Sequence, residues 1–289
     1  MEKTHEVRST GEKIARILIW VLLFVVAALT IFPVLYVIFG SLKENKELLR
    51  GGSAIFPQGK WAFENYTKAW QQANFANYTA NSLFISIGVM VISLINSSMA
   101  GYAFARRPTK FKEILYLVFV GFMFINVGSI SLRPLYELAV SVNMNTSLVS
   151  VVLISAGGAQ ATYIFLCRGF VNSLPKELDE AATIDGCSFF QTYALVILPL
   201  LKPVMATVAL LSFRGGWNEY ILPLVFTMTN DKLRPLTVGV NMLKNAGDGT
   251  AAWDIMFAGA TISIIPILIV YCCFSRFFMN GMTAGAVKG

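Results

Sequence analysis

ELDEAATIDGCSFFQTYALVILPLLKP, Glu177 to Pro203, is the stretch on which the reading of this 289-residue chain turns. Its spacing predicts a helix, a glycine turn and a second helix. Pro175, just upstream, suits the first turn of a helix, where its missing N–H leaves nothing unsatisfied. Glu177, Asp179 and Glu180 follow near that N-terminus, where the helix dipole favours negative charge. Leu174, Leu178, Ala181 and Ala182 recur at helical spacing and form an apolar face of small to medium side chains. Gly186 can take the left-handed conformation that ends a helix. Ser188-Phe189-Phe190-Gln191 then has the S-x-x-Q form of a capping box, which opens a new helix. That second helix runs toward Leu198 and is stopped or bent by Pro199.

The segment lies in a chain built for lipid. Hydrophobic residues make up 56% of the sequence and charged residues 13%, where a soluble globule carries about 25% charged. A bilayer-crossing helix needs roughly 20 consecutive apolar residues. Five uncharged runs meet or approach that length: Ile17–Phe39, Ser82–Ala105, Ile114–Leu132, Ser147–Cys167 and Ile255–Ser275. A sixth, Val204–Met228, is as apolar except for Arg214 and Glu219. The expected fold class is therefore an all-α integral membrane protein. It has six spans, at about 17–39, 82–105, 114–132, 147–167, 204–228 and 255–275, with a helix-turn-helix insert at 173–199. Residues 1–16 form an N-terminal tail, 17–278 the membrane domain and 279–289 a C-terminal tail. The first run is longer than the apolar core of a signal peptide, about 7–15 residues, and no small-x-small cleavage site follows it, so it reads as a retained span.

Lys and Arg set the orientation. Lys3, Arg8, Lys13 and Arg16 lie in the N-terminal tail, and Arg106, Arg107, Lys110 and Lys112 cluster between spans two and three. Six spans put both segments, both termini and the insert on one side, which is cytoplasmic. The loop of about 41–81 then faces outward, although it carries Lys43, Lys46, Arg50, Lys60 and Lys68, diluted by Glu44, Glu47 and Glu64. Its Trp61, Phe63, Tyr66 and Trp70 read as an interfacial aromatic platform. A second outer segment, 229–254, is polar, with Asn245, Gly247, Asp248 and Gly249 as turn residues. The net charge of +7 sits at the ends of apolar runs, which fits lipid anchoring and not nucleic acid. Cys167, Cys187, Cys272 and Cys273 show no C-x-x-C spacing, and the one histidine, His5, lies in a polar tail, so neither a disulfide framework nor a metal site is expected.

Two features leave alternatives open on residues alone. The insert could rest on lipid as an amphipathic connector or dock on a protein, and the small pair Ala181-Ala182 favours close approach of another backbone. In SFRGGWNEYILPL, within span five, Gly215-Gly216 can loosen a helix and Arg214, Asn218 and Glu219 are polar at membrane depth. Such groups mark transport paths, and Trp217 and Tyr220 offer faces for sugar rings. Contact with a partner subunit explains Arg214 and Glu219 equally well. Asn96, Asn126, Gln160 and Tyr163 are weaker path candidates, since single polar residues in spans often bond between helices. The chain has no G-x-x-x-x-G-K-[ST] loop; its nearest pair, Gly59-Lys60, is followed by Trp61, so any ATP hydrolysis belongs to another subunit.

Glu180, Ala181, Ala182, Gly186, Ile197, Leu198 and Pro199 fit the pattern E-A-A, then G four residues on, then a version of I-x-L-P. The segment thus resembles the EAA loop of bacterial ABC importer permeases. FENYTKAW, WNEYILPL and the ending GMTAGAVKG, Gly281 to Gly289, are similar to carbohydrate permeases of the maltose-transporter type, specifically the second permease of the pair. The resemblance implies that Glu180, Ala181, Ala182, Asp185, Gly186, Leu198 and Pro199 couple to an ATPase, with Glu180 in polar contact, the alanines packed in a cleft and Gly186 making the turn. It also implies a substrate path near Arg214, Trp217, Asn218, Glu219 and Tyr220, and a loop at 229–254 that reaches a binding protein. The implied partners are a second permease, two ATPase subunits holding ATP and Mg, an extracellular solute-binding protein, an oligosaccharide and membrane lipid, with no cofactor in this chain. The setting would be the bacterial cytoplasmic membrane. An amino-acid or peptide permease of the same class, or an ion-driven secondary transporter, is the alternative.

Overall fold

The computed structural model describes residues 10–51, 54–72, 74–107, 109–125, 128–246 and 250–286. Lys3, His5, Arg8, Asn126, Gly247, Asp248, Gly249 and the last three residues of the GMTAGAVKG ending lie outside them. Every regular element described is helical. In chain order these are α1 (Thr10–Gly40), α2 (Asn45–Leu49), α3 (Glu64–Gln72), α4 (Phe75–Arg106), α5 (Lys110–Phe122), α6 (Leu132–Ser141), α7 (Leu148–Gly158) and α8 (Gln160–Ser173). After them come α9 (Glu177–Ile184), α10 (Phe189–Gln191), α11 (Leu198–Leu200), α12 (Lys202–Asn218), α13 (Ile221–Phe226), α14 (Leu236–Met242) and α15 (Trp253–Ala286).

Three helical stretches are each long and apolar enough to cross a bilayer: Ile14–Gly40, Phe75–Arg106 and Trp253–Cys273. Two bent pairs, α7 with α8 at 51° and Phe189–Leu200 with α12 at 80°, bring the number to five if each pair is one span. The expected span 114–132 is not one helix. Its first half is α5, which closes in a turn at Met123, and a 3-10 turn at Gly128–Ser131 leads into α6. The run that reads as a fifth span is also divided, into α12 and α13, and the division falls at Glu219-Tyr220 instead of the glycine pair.

The chain forms two compact units, residues 1–72 with 243–262 and residues 73–242 with 263–289. The first unit is held by polar groups that satisfy the backbone beyond the end of α1. The buried Asn65 amide donates to the carbonyls of Ser41 and Lys43, both at 2.9 Å. Asn45 donates to the carbonyl of Ala251 at 2.9 Å and accepts from the backbone N–H of Trp253 at 3.1 Å. Of the aromatic platform, Trp61, Phe63 and Trp70 are exposed, while the Tyr66 hydroxyl bonds the Ser41 hydroxyl at 2.7 Å.

The second unit is organised by one face of α4. Ser82, Ser86, Ser93 and Ser97 are buried on it, spaced so that all lie along one helical stripe. Each hydroxyl is used. Ser86 donates back to the Ser82 carbonyl at 2.7 Å, and Ser82 Oγ accepts from Leu236 N at 2.8 Å. Ser93 Oγ accepts from Gln160 Nε2 at 3.2 Å, and Ser97 Oγ accepts from Cys167 Sγ at 3.6 Å. Two glycines finish the seam by close approach. A Cβ on Gly101 would lie 2.6 Å from Cys167 Cβ and 2.9 Å from Arg168 N, and one on Gly216 would lie 2.9 Å from Ser86 Cα. Helices in lipid gain little from the hydrophobic effect and associate through such small-residue seams and interhelical hydrogen bonds.

Gly101→Ala is expected to destabilise the unit by about 1–3 kcal/mol, because the new methyl must displace backbone on α8. Gly121→Ala, on α5, meets nothing within 4 Å and should leave stability unchanged or slightly higher. Thermal unfolding of the two variants in detergent, side by side, checks the contrast.

Candidate functional site

The insert folds from local signals. Lys176 caps α9, so Pro175 sits just before the helix and not inside its first turn. Glu177, Asp179 and Glu180 occupy the first turn. At the other end Gly186 has φ +82°. Its N–H donates to the Thr183 carbonyl at 3.0 Å, and the Cys187 N–H donates to the Ala182 carbonyl at 2.9 Å. This paired pattern is the Schellman motif, which uses the last carbonyls of the helix and requires a left-handed residue. Ser188 N donates to Gln191 Oε1 at 2.8 Å and Gln191 N to Ser188 Oγ at 3.4 Å, so the capping box is formed.

Pro199 does not stop the second helix. A π-helical turn, Thr192–Ile197, precedes α11, and the 80° bend comes after Leu200. The proline ring crowds the carbonyl four residues back, that of Leu195, and the wider π turn is where that crowding is absorbed. Pro203 then occupies the start of α12, where a missing N–H is tolerated.

Side-chain exposure divides the residues expected to meet a partner. Glu180, Ala181, Asp185, Gly186 and Pro199 are exposed and Leu198 is half-buried. Ala182 is only 5% exposed and packs inside the chain, so the alanine pair does not present one shared face. Two apolar side chains that sequence reasoning missed stand out on the same region: Ile184 is 86% exposed and Phe190 65%. Neither belongs to the periodic apolar face, and that departure is the signal that could have found them.

The inward side of α9 is bound to the end of α4. Arg106 Nε lies 2.9 Å from Asp179 Oδ2, off the hydrogen-bonding direction, so the contact is Coulombic. The Tyr102 hydroxyl donates to Asp179 Oδ1 at 2.7 Å. Arg106 also donates to the carbonyls of Leu174 at 2.9 Å and Pro175 at 3.2 Å. The Tyr102 ring stacks on Phe189 with centroids 4.7 Å apart, and the Arg107 guanidinium also lies over the Phe189 ring, at 4.4 Å. Between these groups runs a cleft of about 610 Å³ whose lining includes Lys176, Glu180, Thr183 and Cys187.

The expected substrate-path residues are scattered. Trp217 is 3% exposed and stacks on Phe213 at 5.9 Å, which places its ring in the core and not open to a sugar. Arg214 and Asn218 are exposed, and Tyr220 is half-buried. Glu219 alone of the five lines a cleft of about 470 Å³, with Ser131, Ser155, Gly158 and apolar walls from Leu132 and Leu222. It sits in extended backbone between α12 and α13, where its Oε1 accepts from Leu222 N at 3.4 Å and its carbonyl accepts from Thr237 Oγ1 at 2.8 Å. Arg214 forms no ion pair with it among the described residues. The bend between α7 and α8, at Ala159, borders the same cleft. Of the weaker candidates, Gln160 bonds Ser93, Tyr163 is buried and Asn96 is exposed.

Trp217→Ala is expected to cost about 3–5 kcal/mol of stability, since it empties a buried aromatic site. Asn218→Ala, at the neighbouring exposed position, should leave the melting temperature unchanged. Thermal unfolding and membrane yield of both variants measure the difference.

Residues 7–283 match the family model described as binding-protein-dependent transport system inner membrane component. The chain is 32% identical to the arabinooligosaccharides transport system permease protein AraQ of Halalkalibacterium halodurans, over 96% of this chain and 99% of that one. It is 30% identical to the melibiose/raffinose/stachyose import permease protein MelC of Bacillus subtilis, over 98% of this chain and 100% of the relative. In fold it is similar to a chain in the crystal structure of a bacterial ABC transporter involved in import of the acidic polysaccharide alginate. That match has a TM-score of 0.79 at 23% identity and covers 94% of this chain and 99% of the other. A protein with long apolar helices, a seam of small residues and a charged helical insert thus belongs to the family of binding-protein-dependent transport system inner membrane components, the permeases of ABC importers.

Proposed function

We propose that this chain is one of two permease subunits of an ATP-driven importer that moves an oligosaccharide across the bacterial cytoplasmic membrane. The observation that carries the reading is the two-sided α9. One side is fastened to α4, and the other offers Glu180, Ala181, Ile184 and Asp185 to a partner. A connector resting on lipid turns its apolar face to the bilayer, whereas here Ala182 packs inside the chain and the exposed side mixes Ile184 with Glu180 and Asp185. A docked ATPase subunit would use that side, because closure of the ATPase dimer on ATP would move α9 as a rigid body. ATP and Mg belong to the two ATPase subunits. This chain supplies neither a phosphate-binding loop nor catalysis.

In this reading Glu180 makes the polar contact, Gly186 and Asp185 shape the turn, and Leu198 and Pro199 set the exit of the second helix. Ala181 packs against the ATPase, while Ala182 packs inward. The third span is α5 with the segment after it, which completes six spans and puts both termini in the cytoplasm. The exposed apolar side chains of α1, from Ile17 to Val26, face lipid. A second permease completes the path, and a solute-binding protein delivers the sugar to the outer side, where residues 229–254 receive it. Glu219 at the break between α12 and α13 is the path residue favoured by the geometry, because non-helical backbone at membrane depth persists where it lines a cavity. Relatives named for arabinooligosaccharides and for melibiose, raffinose and stachyose favour an oligosaccharide over an amino acid or peptide.

Glu180→Lys reverses the charge on the outward face, and Gly186→Pro forbids the positive φ of the turn. Each is expected to reduce oligosaccharide uptake by about tenfold or more while the subunit still reaches the membrane. Uptake assays with arabinooligosaccharides and raffinose in a strain lacking the native gene, with immunoblots for membrane level, test this. Normal uptake by both variants rejects the coupling assignment. No uptake of either sugar by the unmodified chain, with uptake of a peptide or amino acid, rejects the substrate class.

A further inference from the structure

Ser98, Tyr102 and Arg106 recur every four residues on α4, so they form one stripe along its last turns. All three point at the insert, and each binds a different part of it. Ser98 Oγ and the Tyr193 hydroxyl are 2.7 Å apart, which ties the π-helical turn. Tyr102 donates to Asp179 and stacks on Phe189, so it ties α9 and α10 together. Arg106 faces Asp179 and caps the carbonyls of Leu174 and Pro175, so it ties the link that enters α9. Two of the three groups are buried, Tyr102 at 2% exposed and the Arg106 side chain at 6%, while the Asp179 side chain, at 21%, borders the cleft.

We infer that Tyr102, Arg106 and Asp179 form the joint that carries motion from the docked insert into the membrane domain. They are positioning residues for coupling and do not themselves meet the ATPase. The inference rests on the importer reading above. An eight-residue helix is too short to be stable alone, and the link Leu174–Lys176 is not helical. Without the joint, a push on α9 would be taken up by that link. With it, the push reaches α4, and the serine–glycine seam passes it to α8 and α12, which end at the two breaks around Glu219. Asp179 and Glu180 are neighbours with opposite tasks: one carboxylate faces inward to hold α9, and the other faces outward to the partner.

The test uses the whole complex, with both permeases, ATPase subunits and binding protein, in nanodiscs. A cysteine is introduced at Ile221, an exposed position in the Glu219 cleft, after the native cysteines are replaced. Its rate of reaction with a membrane-impermeant maleimide is measured without nucleotide and after trapping with ATP and vanadate. With the joint intact, the two states should differ about tenfold. In Asp179→Asn, and in Tyr102→Phe, which keeps the ring stack, ATP hydrolysis should continue while that difference collapses. Asp179→Glu should restore it. A purely structural role would lower the yield of complex but leave the difference intact in what assembles. Retention of the difference in assembled Asp179→Asn and Tyr102→Phe complexes overturns the inference. Absence of any nucleotide effect in the unmodified complex instead brings down the importer reading beneath it.

Discussion

The contact between Asp179 and Arg106 is the constraint on which the rest of the arrangement depends. A carboxylate near the membrane face of an apolar chain is costly to bury without a partner, and a guanidinium within a helix end is equally so. Here each answers the other, and the remaining polar atoms find Tyr102 and two backbone carbonyls. The result is that α9, which has little stability of its own, takes a fixed orientation on α4. Once that orientation is set, Leu178 and Ala182 turn inward and Glu180, Ala181 and Ile184 turn outward. Which side of α9 is exposed is therefore a consequence of this pair.

The second constraint is close packing in a medium that gives helices little reason to associate. The chain meets it with serines and Gly101 on α4 and Gly216 on α12, beside buried Ile85 and Val89 of α4. The serine hydroxyls bond across to α8 and to the start of α14, and Gly101 and Gly216 bring α8 and α12 to backbone contact. Beside this tight packing the backbone breaks at Ala159 and at Glu219-Tyr220. A carboxylate and two serines gather there beside apolar walls, a chemistry suited to a hydroxyl-rich solute with C–H faces.

What the sequence made legible was local. The acidic first turn of α9, the glycine at its end and the S-x-x-Q box are each defined within a few residues, and all three are found in place. The apolar runs gave the membrane class, and three of them fall within helices long and apolar enough to cross a bilayer. Breaks within spans were harder: Pro199 suits a stop or a bend, and the helix carries through it after a π turn and bends at Leu201. The role of Asp179 was not legible, since it is set by a helix far away in sequence. Tyr102 and Asp179 are 77 positions apart, and no pattern within α9 announces which of two adjacent carboxylates faces inward. The serine stripe on α4 was in principle readable from its spacing, yet isolated serines in an apolar run attract no notice until a neighbour's backbone is seen against them.

The most direct measurement is to place a photo-crosslinking phenylalanine analogue at Ile184, the most outward apolar position of α9, and to irradiate cells that express the whole transporter. The account predicts a covalent product with the ATPase subunit, formed also in Asp179→Asn, where the insert stays docked while its tie to α4 is lost. Adducts with lipid alone, in a complex that still imports its sugar, would contradict it.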